Sequence, residues 1–232
     1  AAGVGGAYYP TGAAAVAAAR DGQAVKLLKG VEEDAEIRID GKRSITLDLA
    51  GCKLDARAHQ IVVESGSGLT VKGGGELTNT CTQNATGSYV VYGADGSRVA
   101  FDGVTVNGAY GLYAAGEASV KRANLNVTCG CAIAVNGSAR VEIGDPAATA
   151  EENARDVVVT SANNCISTQT KEGAADSQCT VYGGTFIAGK KPDNPSNPWN
   201  SGPVYWASHG TLDIRGGVFK ADGEADAGYQ EK

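Results

Sequence analysis

Apolar and polar residues alternate in short runs along most of the chain, and one such pattern recurs. Two apolar residues eight positions apart, such as Val91 and Val99, enclose a polar turn, and further copies begin 21 and 42 residues later. Alternation with a period of two is typical of β-strands. Copies of the pattern begin at residues 37, 61, 91, 112, 133, 166 and 204, and the copy at 166 carries an insertion at 171–175.

A third short apolar run follows the second in most copies, as at 104–106 and 125–127. A repeat of 21 residues does not bury its own apolar face, so we expect the copies to stack at the ~4.8 Å spacing of strands. The pattern therefore predicts an all-β fold, a parallel β-solenoid of about seven coils with three short strands each. An antiparallel sandwich is the alternative, but the regular interval disfavours it.

One segment, the alanine-rich run at 11–20, has the composition of a helix, with Thr11 as N-cap and Asp21-Gly22 at its end. We expect this helix to cap the first coil, because a solenoid needs a cover at its open ends. The predicted organisation is a single domain, 1–232. It consists of an extension at 1–10, the capping helix at 11–22, the solenoid at 24–220 and a polar tail at 221–232. No matching cap follows the last strand, so we expect the natural chain to continue.

The order of these motifs resembles a known family. The alanine-rich helix is followed by Asp-Gly-Gln-Ala-Val-Lys-Leu-Leu at 21–28, Ile-Thr-Leu-Asp-Leu at 45–49 and Gly-Gly-Thr-Phe at 183–186. This order resembles the pectate-lyase-like right-handed parallel β-helix domains of bacterial cell-surface and adhesin-like proteins. The resemblance implies a right-handed solenoid and an extracellular location on the bacterial surface, as part of a larger protein. It implies little about function, because this fold carries lyases, hydrolases, tailspikes and inert stalks.

Composition narrows the possible classes. The chain of 232 residues has 33 glycines, no methionine and a net charge of −6, and 42% of its residues are hydrophobic. That hydrophobic fraction argues against disorder, and the glycines lack the three-residue period of collagen. No apolar run approaches the ~20 residues of a membrane helix, and no basic cluster is present. We therefore expect neither membrane insertion nor a nucleic-acid partner.

The resemblance raises the question of catalysis, since pectate lyases hold calcium with acidic residues on one outward ladder. The outward ladders predicted from the repeat bring no two acids onto neighbouring strands, although calcium and glycosidase chemistry require grouped carboxylates. Asp48, Lys72 and Asp102 instead alternate in sign, as in a salt ladder. We expect no metal, cofactor or catalytic residue. The predicted second outward ladder is Thr46, Thr70, Ala100, Lys121, Glu142, Thr180 and Asp213, and the third is Asp48, Lys72, Asp102, Ala123, Gly144, Tyr182 and Arg215.

Four tyrosines are the candidate ligand-binding residues. Tyr92 and Tyr113 are one period apart, as are Tyr89 and Tyr110, so the four rings are predicted to form an exposed platform on consecutive coils. Aromatic rings suit the apolar faces of sugars, and tyrosine adds a hydroxyl. The alternative is that these tyrosines only pack along the strands. The outward ladder that carries them is Arg38, Val62, Tyr92, Tyr113, Ala134, Ser167 and Tyr205.

Six cysteines are present, and in a surface protein they favour disulfides. Cys131 and Cys165 end adjacent coils at similar positions and are the first predicted pair, and Cys81 with Cys129 is the second. Cys179 occupies an inward position and is expected to be a buried free thiol, and Cys52 is expected in the core. His59 and His209 are isolated, which argues against a metal site.

Arg122 and two insertions break the repeat. Arg122 falls at an inward position, and we expect a bulge to turn it outward, because an unpaired buried arginine is costly. The insertions at 144–155 and 189–202 are further recognition candidates, with plain solvated loops as the alternative.

These observations favour a non-catalytic cell-surface module that binds a glycan or a partner surface, or serves as a stalk. A polysaccharide-active enzyme, either a lyase or a glycoside hydrolase, is the alternative.

Overall fold

The computed structural model describes residues 1–80, 89–168, 177–189, 202–206 and 210–221. In these ranges the chain is all-β, with twenty-three strands and two short helices. The helices are α1 (Gly12–Ala18) and α2 (Ala150–Asp156). The strands are β1 (Ala2–Val4), β2 (Ala7–Tyr9), β3 (Ala24–Leu27), β4 (Val31–Glu32), β5 (Ile37–Ile39), β6 (Ser44–Asp48), β7 (Lys53–Asp55), β8 (Ile61–Val63), β9 (Gly68–Lys72), β10 (Glu76–Thr78), β11 (Tyr89–Gly93), β12 (Arg98–Gly108), β13 (Tyr110–Ala114), β14 (Glu117–Val127), β15 (Ile133–Val135), β16 (Arg140–Ile143), β17 (Val158–Ser161), β18 (Ile166–Thr168), β19 (Gln178–Val181), β20 (Thr185–Ala188), β21 (Val204–Trp206), β22 (Thr211–Ile214) and β23 (Val218–Ala221).

The first ladder is a seven-stranded parallel sheet in the order β21-β18-β15-β13-β11-β8-β5. Its inward residues pair in the register that the repeat predicts, which confirms the predicted parallel ladder and excludes the antiparallel sandwich. Every inward residue up to Ile166 is buried, and Val204 at the end is half-buried. The paired inward residues are Ile37, Ile61, Val91, Leu112, Ile133, Ile166 and Val204.

Two further parallel ladders form the other sheet. The second ladder runs β3-β6-β9-β12-β14-β16-β19-β22, and the third runs β4-β7-β10-β12-β14-β17-β20-β23. Strands β12 and β14 belong to both ladders, because each has eleven residues and turns a corner near its middle. Inward side chains of all three ladders, such as Ile61, Phe101 and Leu77, belong to one buried apolar cluster.

In the copy that begins at Leu112, the two inward residues on either side of the turn are six positions apart and not eight. Ala118 and not Val120 lies opposite Val99, and Val120 lies opposite Phe101. The reason is the turn, since four residues separate the paired positions in the preceding copy but only Ala115 and Gly116 do so here. A Cβ on Gly116 would lie 2.2 Å from the Ser97 carbonyl oxygen, so this tight turn requires glycine.

This shorter turn corrects the predicted outward ladders. Ser119, not Lys121, lies between Ala100 and Glu142 on the second outward ladder. Lys121, not Ala123, lies beside Asp102 on the third. The alternation of charge therefore continues for one more strand than predicted, and the Lys121 amine also lies 3.7 Å from an Asp145 carboxylate oxygen.

Arg122 points outward, as expected, but through a corner and not through a bulge. It lies beside Gly103 where both strands change direction, and both residues have positive φ, 45° for Arg122 and 70° for Gly103. Its side chain is 63% exposed, and the guanidinium lies 2.6 Å from an Asp102 carboxylate oxygen. Asp102 thus pairs with Arg122, and Asp48 accepts a hydrogen bond from the Ala50 N–H at 2.9 Å.

Helix α1 is shorter than the predicted 11–22, and the body of the protein holds both of its ends. Thr11 caps the first turn as predicted, and the buried Glu33 carboxylate accepts hydrogen bonds from the Gly12 and Ala13 N–H groups at 2.5 and 3.1 Å. At the other end the Arg43 guanidinium donates to the carbonyls of Val16 and Ala19. The helix ends at Ala18, where Ala19 takes an extended conformation, three residues before Asp21-Gly22.

The amino-terminal extension also contributes to this end. Strand β1 pairs antiparallel with both β2 and β3, so the edge of β3 is covered. The amino-terminal end of the ladders is therefore closed by a hairpin and a helix.

The insertion at 144–155 contains the helix α2, which the sequence analysis did not predict. Its capping box joins Thr149 and Glu152, and Glu152 accepts from the Thr149 N–H at 2.8 Å. These hydrogen bonds lower the pKa of Glu152. The Thr-x-x-Glu spacing was the signal that could have identified this helix.

The other end of the ladders is open in the described residues. The inward residue Ile214 is 39% exposed, whereas Val181, its partner on the preceding strand of the second ladder, is fully buried. The interior of the insertion at 189–202, the insertion at 171–175, Cys81, His209 and the tail from 222 onward lie outside the described residues.

Candidate functional site

The four candidate tyrosines do meet on the outward side of the first ladder. Tyr89 lies opposite Tyr110 and Tyr92 opposite Tyr113, in strands β11 and β13. The Tyr92 and Tyr113 rings are stacked, with centroids 4.7 Å apart and planes 12° apart. Tyr89 makes an edge contact with Tyr113 at 5.4 Å and a tilted contact with Tyr110 at 5.1 Å. We call these four residues the tyrosine cluster.

The cluster rests on the segment before β15. A Cβ on Gly130 would lie 1.8 Å from Cε1 of Tyr110, so the ring lies directly against the glycine backbone. The Tyr110 side chain also hydrogen-bonds the Cys129 thiol. The cluster is thus held in place by the pairing of its own strands, β11 and β13, and by its contacts with residues 129–131.

The tyrosine cluster is half-buried, which corrects the prediction of an exposed platform. Burial raises the pKa of Tyr89, and the neighbouring Cys131 adds to the effect. Burial likewise raises the pKa of Tyr110 and Tyr113. The rings cover one another because their spacing matches the strand spacing, so edges and single faces, not whole rings, are available to a ligand.

The rest of this outward ladder has the predicted register but a different surface. Val62, Ala134 and Ser167 occupy outward positions, yet all three are buried. Tyr205 continues the ladder beside Ser167 and is half-buried. Strand alternation gives the direction of a side chain, but not whether another segment covers it.

The predicted disulfide between Cys131 and Cys165 is absent, since both residues are free thiols. Ile133 pairs with Ile166, so Ala132, and not Cys131, lies opposite Cys165. The Cys165 side chain is fully buried in the core, whereas the Cys131 thiol hydrogen-bonds the outward-facing Ser167. Cys165 joins the apolar core and its thiol donates to the Val159 carbonyl, whereas the Cys131 thiol donates to the Ile133 carbonyl beside the tyrosine cluster.

The remaining cysteines follow the expectations in part. Cys179 is a buried free thiol, as predicted, and Cys52 is half-buried against the core. The predicted partner of Cys129, Cys81, lies outside the described residues, so that pair stays a prediction.

A groove, which the sequence analysis did not identify, crosses the outward face of the second ladder. This groove has a volume of about 550 Å³. Its floor consists of small residues and its wall of charged ones, on strands β6, β9, β12, β14 and β16. The floor is Thr46, Thr70, Ala100 and Ser119, and the charged residues are Arg98, Glu117, Arg140 and Glu142. The sequence analysis placed Lys121, and not Ser119, beside Ala100, so it did not reveal a continuous floor of small residues.

The carboxylates are not arranged as an obvious catalytic pair. Asp48 and Asp102 are separated by the strand of Lys72, or about 10 Å at the usual strand spacing. Glu117 and Glu142 lie on adjacent strands with a two-residue offset, and both are exposed. A glycosidase acid is usually kept protonated by desolvation, which exposed carboxylates lack. Within the described ranges no three His, Cys, Asp or Glu residues form a potential metal site.

Among the residues that the structure describes, no helix has the length and apolar character needed to cross a membrane. Comparisons of the chain with protein-family models, with curated proteins and with solved structures found no match.

Proposed function

We infer that this chain is a non-catalytic module of a bacterial cell-surface protein, built as a right-handed parallel β-helix, and that its tyrosine cluster binds a glycan. The observation that carries the binding function is the contact of four tyrosine rings on the outward face of two neighbouring strands. Rings held this rigidly lose little entropy when a sugar stacks on them, and their hydroxyls add hydrogen bonds. The β-helix is supported by three parallel ladders around one core, and the surface location by the resemblance of 21–28, 45–49 and 183–186 to such domains.

A glycan array with wild type and the Tyr92→Ala/Tyr113→Ala variant tests the binding function. Each lost ring contact removes about 1 kcal/mol, so the double variant is expected to bind about thirtyfold more weakly. Tyr8→Ala is the matched control, because Tyr8 is 79% exposed and lies outside the cluster. Equal binding by wild type and the double variant would exclude the cluster, and no binding by either protein would favour a stalk.

The alternative is a polysaccharide-active enzyme, and the diagonal pair Glu117 and Glu142 is the observation that favours it. Inverting glycosidases separate their carboxyl groups by about 6.5–9.5 Å, a range that diagonal neighbours in a sheet approach. We expect no cleavage of pectin or neutral polysaccharides, with or without calcium, because neither carboxyl is desolvated. Release of reducing ends that Glu117→Gln or Glu142→Gln abolishes would establish the enzyme instead.

A further inference from the structure

The groove on the second ladder is separate from the tyrosine cluster, which lies on the first ladder. Its floor residues are paired across neighbouring strands, Thr46 with Thr70, Thr70 with Ala100 and Ala100 with Ser119. Their small side chains leave a continuous trough across four strands, at one position every ~4.8 Å. The hydroxyls of Thr46, Thr70 and Ser119 each donate and accept hydrogen bonds.

The wall of the groove alternates in charge. Arg98 lies opposite Glu117, and Glu117 lies opposite Arg140. Both arginines and Glu117 are exposed, and Arg140 donates to the Gln178 side chain at 2.7 Å. The floor ends at Glu142, which accepts from the Tyr182 hydroxyl at 3.3 Å.

The chemistry of these groups indicates the kind of ligand. Two guanidinium groups and two carboxylates leave the groove without net charge, so it does not attract a polyanion or a polycation. Guanidinium groups donate and carboxylates accept. A ligand that satisfies both along the wall, and the hydroxyls of the floor, must itself carry many donors and acceptors without charge.

We propose that this groove binds an uncharged linear oligosaccharide that runs across the strands, with successive sugar units over successive strands of the second ladder. The wall contacts sugar hydroxyls through alternating Arg and Glu side chains, and the floor contacts them through Thr46, Thr70 and Ser119. This site does not depend on the tyrosine cluster and adds a second contact surface to the module.

Isothermal titration with β-1,4-linked hexamers of glucose, mannose and xylose tests the proposal, with hexagalacturonate as the charged counterpart. At least one neutral hexamer is expected to bind with a Kd below ~1 mM, and hexagalacturonate about tenfold more weakly than that hexamer. Ser119→Phe fills the floor and is expected to reduce affinity by about tenfold. The matched control is Asn124→Phe, since Asn124 is exposed on the same strand, β14, but belongs to the third ladder. That control is expected to bind within about twofold of wild type.

A second variant keeps the test valid if Ser119→Phe fails to fold. Arg98→Gln/Glu117→Gln changes only exposed wall residues and preserves the net charge, and it is expected to reduce affinity by about tenfold. The proposal is overturned if no neutral hexamer binds, if hexagalacturonate binds best, or if the folded groove variants bind like wild type. Tyr92→Ala/Tyr113→Ala is expected to retain hexamer binding, and its loss there would assign the sugar to the cluster instead. Hydrolysis of the hexamer would refute the non-catalytic function and leave the groove in place.

Discussion

Three cysteine thiols are buried, and burial raises their pKa to about 11 for Cys131 and to about 12 for Cys165 and Cys179. The reactive form of a thiol is the thiolate. The same three side chains, once exposed by unfolding, titrate near their ordinary value of 9.0. The protonation of these residues therefore links the stability of the fold to pH.

We expect the free energy of unfolding to decrease in alkaline solution. Below pH 9 both states keep the thiol protons, and above it the unfolded state loses them first, so stability falls as pH rises toward the folded values. At pH 10 the loss is about 1 kcal/mol for each thiol. Urea unfolding at pH 7 and pH 10 measures this loss of stability. The Cys179→Ala variant is expected to lose less stability between the two pH values than wild type. Unfolding midpoints that are equal at the two pH values would contradict this linkage.

At the scale of single elements, helix α1 depends on contacts from outside itself. Seven residues are too few for a stable helix in isolation. The Glu33 carboxylate accepts hydrogen bonds from two N–H groups at the start of the helix, and the Arg43 guanidinium donates to two carbonyls at its end. Both charges also have the sign that the helix dipole favours at those ends.

Glu33→Ala is expected to lower the free energy of unfolding by about 2 kcal/mol, because a buried and a part-buried N–H group lose a charged acceptor. Glu33→Gln keeps one carbonyl acceptor and is expected to cost less. Glu76→Ala is a suitable control, since Glu76 is exposed on strand β10, and it should change stability by no more than ~0.5 kcal/mol. Chemical denaturation measures all three, and a Glu33→Ala protein as stable as the control would refute the capping role.

The strands that could be predicted from the sequence are those in which apolar and polar residues alternate regularly. Apolar residues at 61, 91, 112, 133 and 166 located the first ladder because each must face the core. The period could not reveal that the turn at Ala115-Gly116 is two residues shorter, since Val120 and Ala118 both satisfy an apolar inward position. That single ambiguity misplaced Lys121 and Ser119 and concealed the groove.

For the candidate site, the sequence predicted which tyrosines pair but not how far they are buried. The pairing of the tyrosines follows from a spacing of 21 residues. Their partial burial does not, because it depends on Gly130 and Cys129, which lie outside the repeat. The Cys131–Cys165 pairing was wrong because the register places Ala132 opposite Cys165, and because the chain leaves the regular strand before Ile133, so that the repeat does not give the direction of Cys131.

At the scale of the whole molecule, the two ends of the ladders differ. The amino-terminal end has a hairpin and the anchored helix α1, whereas in the part of the chain that the structure describes β21, β22 and β23 each pair with one neighbouring strand. Contacts in a stack of repeats are largely between neighbours, so an end strand opens without disturbing the middle.

We expect amide hydrogen exchange to be fastest in β22 and β23, slower in β19 and β20, and slowest in β9, β12 and β14. The expected order follows burial, since inward residues of β19 and β20 are buried and those of β22 and β23 are half-exposed. Exchange measured by mass spectrometry over peptides from each strand tests it. Equal protection at both ends would show that the open end is covered in solution.

We expect the unequal ends to give the described strands a direction of fraying. Transient opening should start at β22 and β23 and become progressively rarer toward the middle, because each further strand must break its own pairing. The tyrosine cluster on β11 and β13 lies several strands inside that boundary, and so does most of the groove floor. Both proposed binding surfaces can therefore keep their structure while the last strands open, so that the geometry proposed for a bound sugar does not depend on the strands that open most often.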